Sequence, residues 1–312
     1  MPLSMSNLKN LTILSKFVVG SKKGSHLNEL KDLLHLQGEL FISELQKVKE
    51  VRDVVHANLF EKQGLRNLIL HWGEDFGNLR DYKREAQVLH SLKPHTNLEN
   101  LTISCYGGSI FPFWLDDPSY RKIASLRLQG CLNVSSLPSL GQLPSLRELS
   151  FEGLNTIRKI DHEFYRGKKA FSSLTSLKFE EMLTWKDWSP YVGGSKEEVP
   201  FSCLRHLVIQ CCPSLLGTLP CQLDCLIKLE IHSCPCLNNP TNEFFLPSLD
   251  ELYLKGCHKE ILKSFRLVKL TSLTILKIYN LVEFVCFDHG FISFLVKLKK
   301  LHIAKCDKLT CL

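Results

Sequence analysis

Cysteine and histidine residues at short spacing are the first candidates for chemistry in this sequence, because thiolate and imidazole groups are the ligands that zinc prefers. They form two clusters: Cys211, Cys212, Cys221 and Cys225, and His232, Cys234 and Cys236. A zinc finger needs a second ligand pair at a fixed distance from the first, and none follows here. The G-x-S-x-G elbow of α/β-hydrolases is also missing from the sequence. We therefore expect no metal, no cofactor and no catalytic residues.

The elements that carry these side chains follow from a leucine pattern, L-x-x-L-x-[LIF], that recurs along the chain. Ten regular copies have their second leucine at Leu68, Leu101, Leu126, Leu149, Leu177, Leu207, Leu229, Leu252, Leu276 and Leu301. Two looser copies precede them, Leu8-Leu11-Ile13 and Leu36-Leu40-Ile42. Most copies start about 20–30 residues apart, which is close to the period of leucine-rich repeats. The ten regular and two loose copies predict about twelve such repeats.

Each copy of the pattern predicts one short strand of a parallel sheet. The last two apolar residues of the pattern lie two positions apart, so they share one face of the strand, and the residue between them points to solvent. A single strand cannot bury its apolar side, so the repeats must stack about 4.8 Å apart to form one core. Strands pack more closely than the return segments, so the array curves. The predicted fold class is an α/β leucine-rich-repeat solenoid, a horseshoe with the parallel sheet on its concave face.

A turn residue follows each strand. In five repeats this residue is a cysteine: Cys131, Cys212, Cys234, Cys257 and Cys306. A small side chain can sit inside such a turn and serve its backbone groups, so the repeat explains these cysteines without a metal. Of the 13 cysteines in the chain, we expect most to be reduced, buried thiols.

Two repeats are longer than the others, and each predicts an insertion in what is otherwise a single domain over residues 1–312. The first insertion covers residues 74–97, and its apolar residues at helical spacing over 84–92 predict a helix. The second covers residues 186–200. Its Gly-Gly-Ser sequence at 193–195 predicts a mobile loop.

Composition and charge restrict the class of protein. Hydrophobic residues make up 44% and charged residues 23% of the chain, which fits a folded domain. The sequence has no signal peptide and no run of about 18 apolar residues, so we expect a cytoplasmic protein without a membrane partner. The net charge is +7, and residues 249–312 hold eleven Lys and Arg against six Asp and Glu. A basic end of this kind is compatible with acidic partners or phosphates, but an ordinary solvated basic face is the more frequent case.

Three longer stretches carry a family resemblance that goes beyond the leucine pattern. They are VLHSLKPHTNLENLTISCYGGSIFPFWL (88–115), CLNVSSLPSLGQLPSLRELSFEGLNTIRKIDHEFY (131–165) and FSSLTSLKFEEMLTWKDWS (171–189). They closely resemble the repeat region of plant disease-resistance proteins of the coiled-coil, nucleotide-binding, leucine-rich-repeat class. The phosphate loop G-x-x-x-x-G-K-[ST] of that class is missing. We therefore expect this chain to be the repeat region alone, a fragment of a larger receptor.

The concave face is the surface on which we expect a protein ligand to bind. Its side chains are mixed in sign near the middle of the sheet and become aromatic and basic toward the C-terminal end. Such side chains on a rigid sheet suit protein recognition. The candidate ligand-binding residues are Arg127, Lys178, Lys228, Glu230, Tyr253, Lys255, Lys277, Tyr279, Lys300, His302 and Lys305.

The resemblance implies a function in plant defence. The chain is then the recognition and autoinhibition region of an intracellular immune receptor. It binds a pathogen effector or a guarded host protein, and it holds a nucleotide-binding domain inactive in cis or in trans. One alternative is a leucine-rich-repeat adaptor of the ubiquitin-ligase type, although no F-box helix pair precedes the repeats. Another is a basic nucleic-acid-binding solenoid, but Glu148, Glu152, Glu180 and Glu230 interrupt the basic surface that it needs.

Overall fold

In the described residues, twelve parallel strands pair in chain order to give one continuous sheet. The computed structural model describes residues 5–22, 24–75, 77, 80–167, 169–189, 191, 199–216, 219, 223–237, 246–266, 270–287 and 295–311. Because this sheet is parallel and follows chain order, the chain forms the predicted α/β leucine-rich-repeat solenoid. Within these ranges, every helix falls short of the length and hydrophobicity that a membrane span requires.

Most strands are five residues long and begin two residues after the first leucine of the pattern. The strands of the main sheet are β1 (Lys16–Val18), β2 (Gln37–Ser43), β3 (Gly64–His71), β4 (Asn100–Ser104), β5 (Ser125–Gln129), β6 (Glu148–Glu152), β8 (Ser176–Glu180), β10 (His206–Gln210), β11 (Lys228–His232), β12 (Glu251–Lys255), β13 (Ile275–Tyr279) and β14 (Lys300–Ala304). A separate two-stranded sheet pairs β7 (Lys159–Ile160) with β9 (Asp187–Trp188). The α-helices are α1 (Val51–His56), α2 (Tyr82–Ser91) and α3 (Ile261–Arg266).

The second leucine of each repeat lies beside its counterpart in the next repeat. Leu207, for example, pairs with Leu177 on one side and Leu229 on the other. The first nine of these leucines are at most 1% exposed, which confirms the predicted column. The prediction is wrong for Leu301, which is 42% exposed. β14 is the last strand of the sheet, so one side of Leu301 lacks the cover that a neighbouring repeat gives.

The first repeat differs from its prediction. Leu8 is 52% exposed and Ile13 is 73% exposed, so the loose copy that contains them is not the strand. The strand lies later, at β1, where the fully buried Phe17 pairs with Ile42 of β2. A phenylalanine here takes the place of the last apolar residue of the pattern. Twelve strands are present, but the first one starts after the predicted motif.

A sharp turn ends each strand of the main sheet from β4 onward, whereas β7 and β9 of the separate sheet lack it. The residue directly after the strand adopts a positive φ, and glycine fills this position three times, as Gly130, Gly153 and Gly256. Glycine reaches this region at little cost because it has no Cβ. The next residue is the predicted turn residue. In two repeats the turn residue is Cys212 or Cys234. The Sγ of each donates to backbone carbonyls at 3.2–3.9 Å, which confirms that the thiol bonds the backbone groups of the turn.

Cysteine burial differs from the prediction. Among the described cysteines only Cys131, Cys212, Cys234 and Cys257 are buried. The expectation of mostly buried thiols is therefore wrong. The buried four are turn residues. Cys306, the fifth turn cysteine, follows the last strand β14 and is only partly buried.

A helix and a short strand occur in the two longer repeats. Helix α2 lies within residues 74–97, where the sequence predicts a helix, and Asp81 caps it by accepting a hydrogen bond from the backbone N–H of Arg84 at 3.0 Å. In the second segment, 186–200, β9 occupies the first residues and pairs with β7. The predicted Gly-Gly-Ser part at 193–195 lies outside the described residues.

Candidate partner-binding face

The candidate residues lie on the open face of the sheet, the side opposite the leucine column. Side chains alternate between the two sides of a strand, so the first, third and fifth residues of each strand point to this face. The middle of the face has a shallow depression of about 200 Å³ whose lining includes Arg127, Lys178, Glu148 and His206. Arg127 and Lys178 therefore belong to one local surface, as their common column in β5 and β8 predicts.

Glu230 is the centre of a charged group further along the face. Its Oε1 accepts hydrogen bonds from Lys228 Nζ at 2.9 Å and from His206 Nε2 at 2.8 Å. His232 Nε2 lies 3.6 Å from Glu230 Oε2, which is too far for a hydrogen bond, and that nitrogen is buried without a partner. The His232 ring instead packs edge-on against Tyr253, with ring centroids 4.4 Å apart.

These contacts shift the pKa values of the group. Partial burial raises the pKa of Glu230, but the hydrogen bonds from Lys228 and His206 outweigh it and leave that pKa below its usual range. The hydrogen bond to Glu230 raises the pKa of Lys228. Desolvation lowers the pKa of His232, so its imidazole is neutral near pH 7. Glu230 is therefore a carboxylate that its own neighbours already pair, and it offers little free negative charge to a ligand.

Two tyrosines and three lysines form the end of the face, and we call them the tyrosine–lysine surface: Tyr253, Lys255, Lys277, Tyr279 and Lys305. Lys277 Nζ lies 5.9 Å from the centroid of the Tyr253 ring. Lys255 Nζ and Lys305 Nζ lie 5.6 and 5.2 Å from the Tyr279 ring. Ammonium groups are attracted to aromatic rings at this range. The rings thus hold three positive charges close together on a surface open to solvent.

Lys300 and His302 extend the basic surface on β14, and both are exposed. The eleven candidate residues therefore fall into two groups. Arg127 and Lys178 line the depression in the middle, and the other nine lie on or directly after β11–β14.

Sequence reasoning did not select His206 and His232 as candidate residues. The signal was available, because His206 and Glu230 occupy adjacent columns of neighbouring strands, where a hydrogen-bond donor can meet a carboxylate. Within the described part of the chain, no group of three or more His, Cys, Asp or Glu side chains is arranged to hold a metal ion.

This fold and face define a leucine-rich-repeat solenoid, a class that typically serves as a scaffold for protein interaction. A family model described as R13L1/DRL21 LRRs matches residues 27–154. The chain is 36% identical over 263 residues to the putative disease resistance RPP13-like protein 1 of Arabidopsis thaliana, covering 79% of this chain and 25% of that protein. It is 35% identical to the putative disease resistance protein RGA4 of Solanum bulbocastanum, covering 71% of this chain and 22% of that protein.

The chain is a leucine-rich-repeat region of the plant disease-resistance protein family. It spans about a quarter of the length of the relatives named above. Among solved structures, the leucine-rich-repeat domain of the type III effector XCV3220 (XopL) matches 93% of this chain and 76% of that one, with a TM-score of 0.44 and 14% identity. That likeness is too low to carry information about function.

Proposed function

We propose that this chain is the recognition region of an intracellular plant immune receptor and that its open sheet face binds a protein. The ligand is a pathogen effector or a guarded host protein, and no bond is made or broken. The observation that carries this proposal is the tyrosine–lysine surface. It places two aromatic rings and three ammonium groups on rigid strands, and aromatic and cationic side chains of this kind anchor protein interfaces.

The charge of this surface indicates the chemistry of the ligand. On β12–β14 and the residue that follows β14, Lys255, Lys277, Lys300 and Lys305 outnumber Glu251, the single acidic side chain of these strands. A ligand with an acidic patch is therefore attracted to this end of the sheet. The resemblance to disease-resistance proteins also supports a second role, in which the repeats hold a nucleotide-binding domain inactive, in cis or in trans, in the cytoplasm.

A pairwise binding assay tests the proposal. The repeat region is measured against a panel of pathogen effectors, candidate host proteins and the nucleotide-binding domain of a relative. The double variant Lys255→Glu/Lys277→Glu reverses two charges of the tyrosine–lysine surface. The variant Lys49→Glu/Lys83→Glu changes the net charge equally, at exposed lysines outside the sheet.

The proposal predicts that the ligand loses binding to the first variant and keeps binding to the second. A ligand that binds both variants equally would show that the open face is not the binding surface. Binding to neither variant would show that the interaction depends on net charge alone.

A further inference from the structure

Two exposed cysteines occupy the same position in neighbouring repeats. Cys203 comes directly before Leu204, and Cys225 comes directly before Leu226, and each leucine is the first of its repeat pattern. Both cysteines are exposed and free. The strands that follow pair in register, with His206 opposite Lys228. Cys203 lies three residues before His206, and Cys225 lies three residues before Lys228, so the two cysteines occupy equivalent positions in the two repeats.

The backbone around the two cysteines follows the same path in both repeats. Leu204 N–H donates to the Phe201 carbonyl at 3.0 Å, and Leu226 N–H donates to the Leu223 carbonyl at 3.1 Å, so each cysteine lies within an equivalent turn. Directly after the two cysteines, a backbone hydrogen bond joins the two repeats: Ile227 N–H donates to the Arg205 carbonyl at 2.9 Å. Neighbouring strands lie about 4.8 Å apart, and disulfides join Cα atoms about 4.4–6.8 Å apart.

We propose that Cys203 and Cys225 are a redox-responsive dithiol on the surface of the repeats, which glutathione disulfide converts to an inter-repeat disulfide. The thiolate of one cysteine attacks a sulfur of glutathione disulfide, forms a mixed disulfide and releases one glutathione. The second cysteine then attacks the protein sulfur of that mixed disulfide and releases the second glutathione. Two protein thiols are oxidised, one glutathione disulfide is reduced, and the two thiol protons end on the two glutathiones.

A buried pair with the same spacing shows why exposure matters. Cys212 and Cys234 are also 22 residues apart and also lie in neighbouring repeats. Both are fully buried, and their thiols donate to backbone carbonyls at 3.3 and 3.2 Å. Glutathione disulfide cannot reach them in the folded chain. The exposed pair is therefore the one that reacts, as transient disulfides of the cytosol do.

The disulfide would tether the two strands that carry the Glu230 group. His206 lies on the first of these strands and Lys228 on the second, and both bind Glu230. Oxidation would thus fix the spacing of two repeats in the middle of the candidate binding face. The dithiol itself does not depend on the proposed function, because it rests on register and exposure alone.

Mass spectrometry after exposure of the folded chain to glutathione disulfide tests this proposal. Trypsin separates the two cysteines, since Arg205 lies between them. The wild type is expected to give a cross-link between peptides 197–205 and 206–228, with a loss of about 2 Da, which reduced glutathione reverses. Fragmentation must place the second end at Cys225, because peptide 206–228 also holds Cys211, Cys212 and Cys221.

Serine variants provide matched controls that keep the fold. Serine is the natural residue at the same position in other repeats, as in Ser145, Ser173 and Ser248. In Cys225→Ser the reaction is expected to stop at a mixed disulfide on Cys203, with a gain of about 305 Da. Mixed disulfides at both cysteines of the wild type without a cross-link would overturn the proposal. So would a link of equal yield between Cys212 and Cys234, because that bond would report unfolding.

Discussion

Leu207 shows what the repeated leucine contributes at the scale of one residue. It is fully buried between Leu177 and Leu229, so Leu207→Ala leaves a cavity and should lower the free energy of unfolding by about 2–5 kcal/mol. Leu301→Ala is the matched control, since Leu301 has the same place in its repeat but is 42% exposed. We expect it to cost less than half as much in urea denaturation followed by circular dichroism. Equal losses would show that Leu301 is covered in solution.

Lys62 is a buried lysine whose titration should make the stability of the chain depend on pH. Its side chain is fully buried, and Nζ donates to the Leu30 carbonyl at 2.7 Å. Desolvation lowers the pKa of Lys62 to about 8, from 10.5 for the free side chain. Between these values the unfolded chain binds more protons than the folded chain, so the contribution of Lys62 to stability rises with pH.

The measurement is the free energy of unfolding at pH 7 and at pH 9.5 for the wild type and for Lys62→Met. The methionine removes the titration and keeps the volume of the side chain close to that of lysine. We expect the wild type to gain stability relative to the variant as pH rises, by at most about 3 kcal/mol. A difference that stays constant would show that the buried ammonium keeps its ordinary pKa, and one that falls with pH would show that its pKa is raised.

Residue types explain how much of the candidate site the sequence could predict. Alternation along a strand was sufficient to place Tyr253, Lys277 and Tyr279 on the open face, because a side chain's side of the sheet depends only on its position. The buried Nε2 of His232, 3.6 Å from Glu230, could not be predicted. Its place depends on the orientation of the ring against Tyr253, and spacing says nothing about side-chain rotation.

At the scale of an element, helix α2 is held in place by a buried ion pair near its start. Arg80 and Glu85 form an ion pair at 2.6 Å with side chains only 5% and 4% exposed. Arg80 also donates to the Gly73 and Cys105 carbonyls, and Glu85 accepts from the Gly107 N–H at 2.8 Å. This pair attaches the start of the helix to the ends of β3 and β4.

Removing one partner of that pair should loosen the helix. Glu85→Ala leaves the Arg80 charge buried without its carboxylate, which costs about 3–5 kcal/mol. We expect faster amide hydrogen exchange over residues 82–91 than in the wild type. Arg84→Ala is the matched control, because the Arg84–Asp81 pair is about half exposed and such pairs contribute at most about 1 kcal/mol. Equal exchange in both variants would mean that the buried pair does not hold the helix.

The strands were more predictable than the other elements, because each carries the same periodic pattern and each fixes the register of the next. β1 was the exception, since Phe17 replaces the residue that the leucine pattern requires. The strand β9 was not predicted at all. Two residues, Asp187 and Trp188, are too few to show a period, and they pair with Lys159 and Ile160 of an earlier repeat.

At the scale of the whole molecule, stability depends on position in the array. Each repeat contacts only its neighbours, so a repeat with two neighbours has about twice the stabilising interface of a repeat with one. β14 has one neighbour, and its leucine is 42% exposed. We therefore expect amide hydrogen exchange to be slowest in β5–β10 and fastest in β14 when residues 1–312 are studied alone.

The same experiment on Leu207→Ala tests whether coupling between repeats is local. The cavity lies in β10, so protection should fall most in β8, β10 and β11 and least in β3 and β4, which lie at least four strands away. A uniform loss of protection along the sheet would show that the array unfolds as a single unit, in contradiction to nearest-neighbour coupling. Equal protection of β14 and the central strands in the wild type would likewise show that the last repeat needs no further cover.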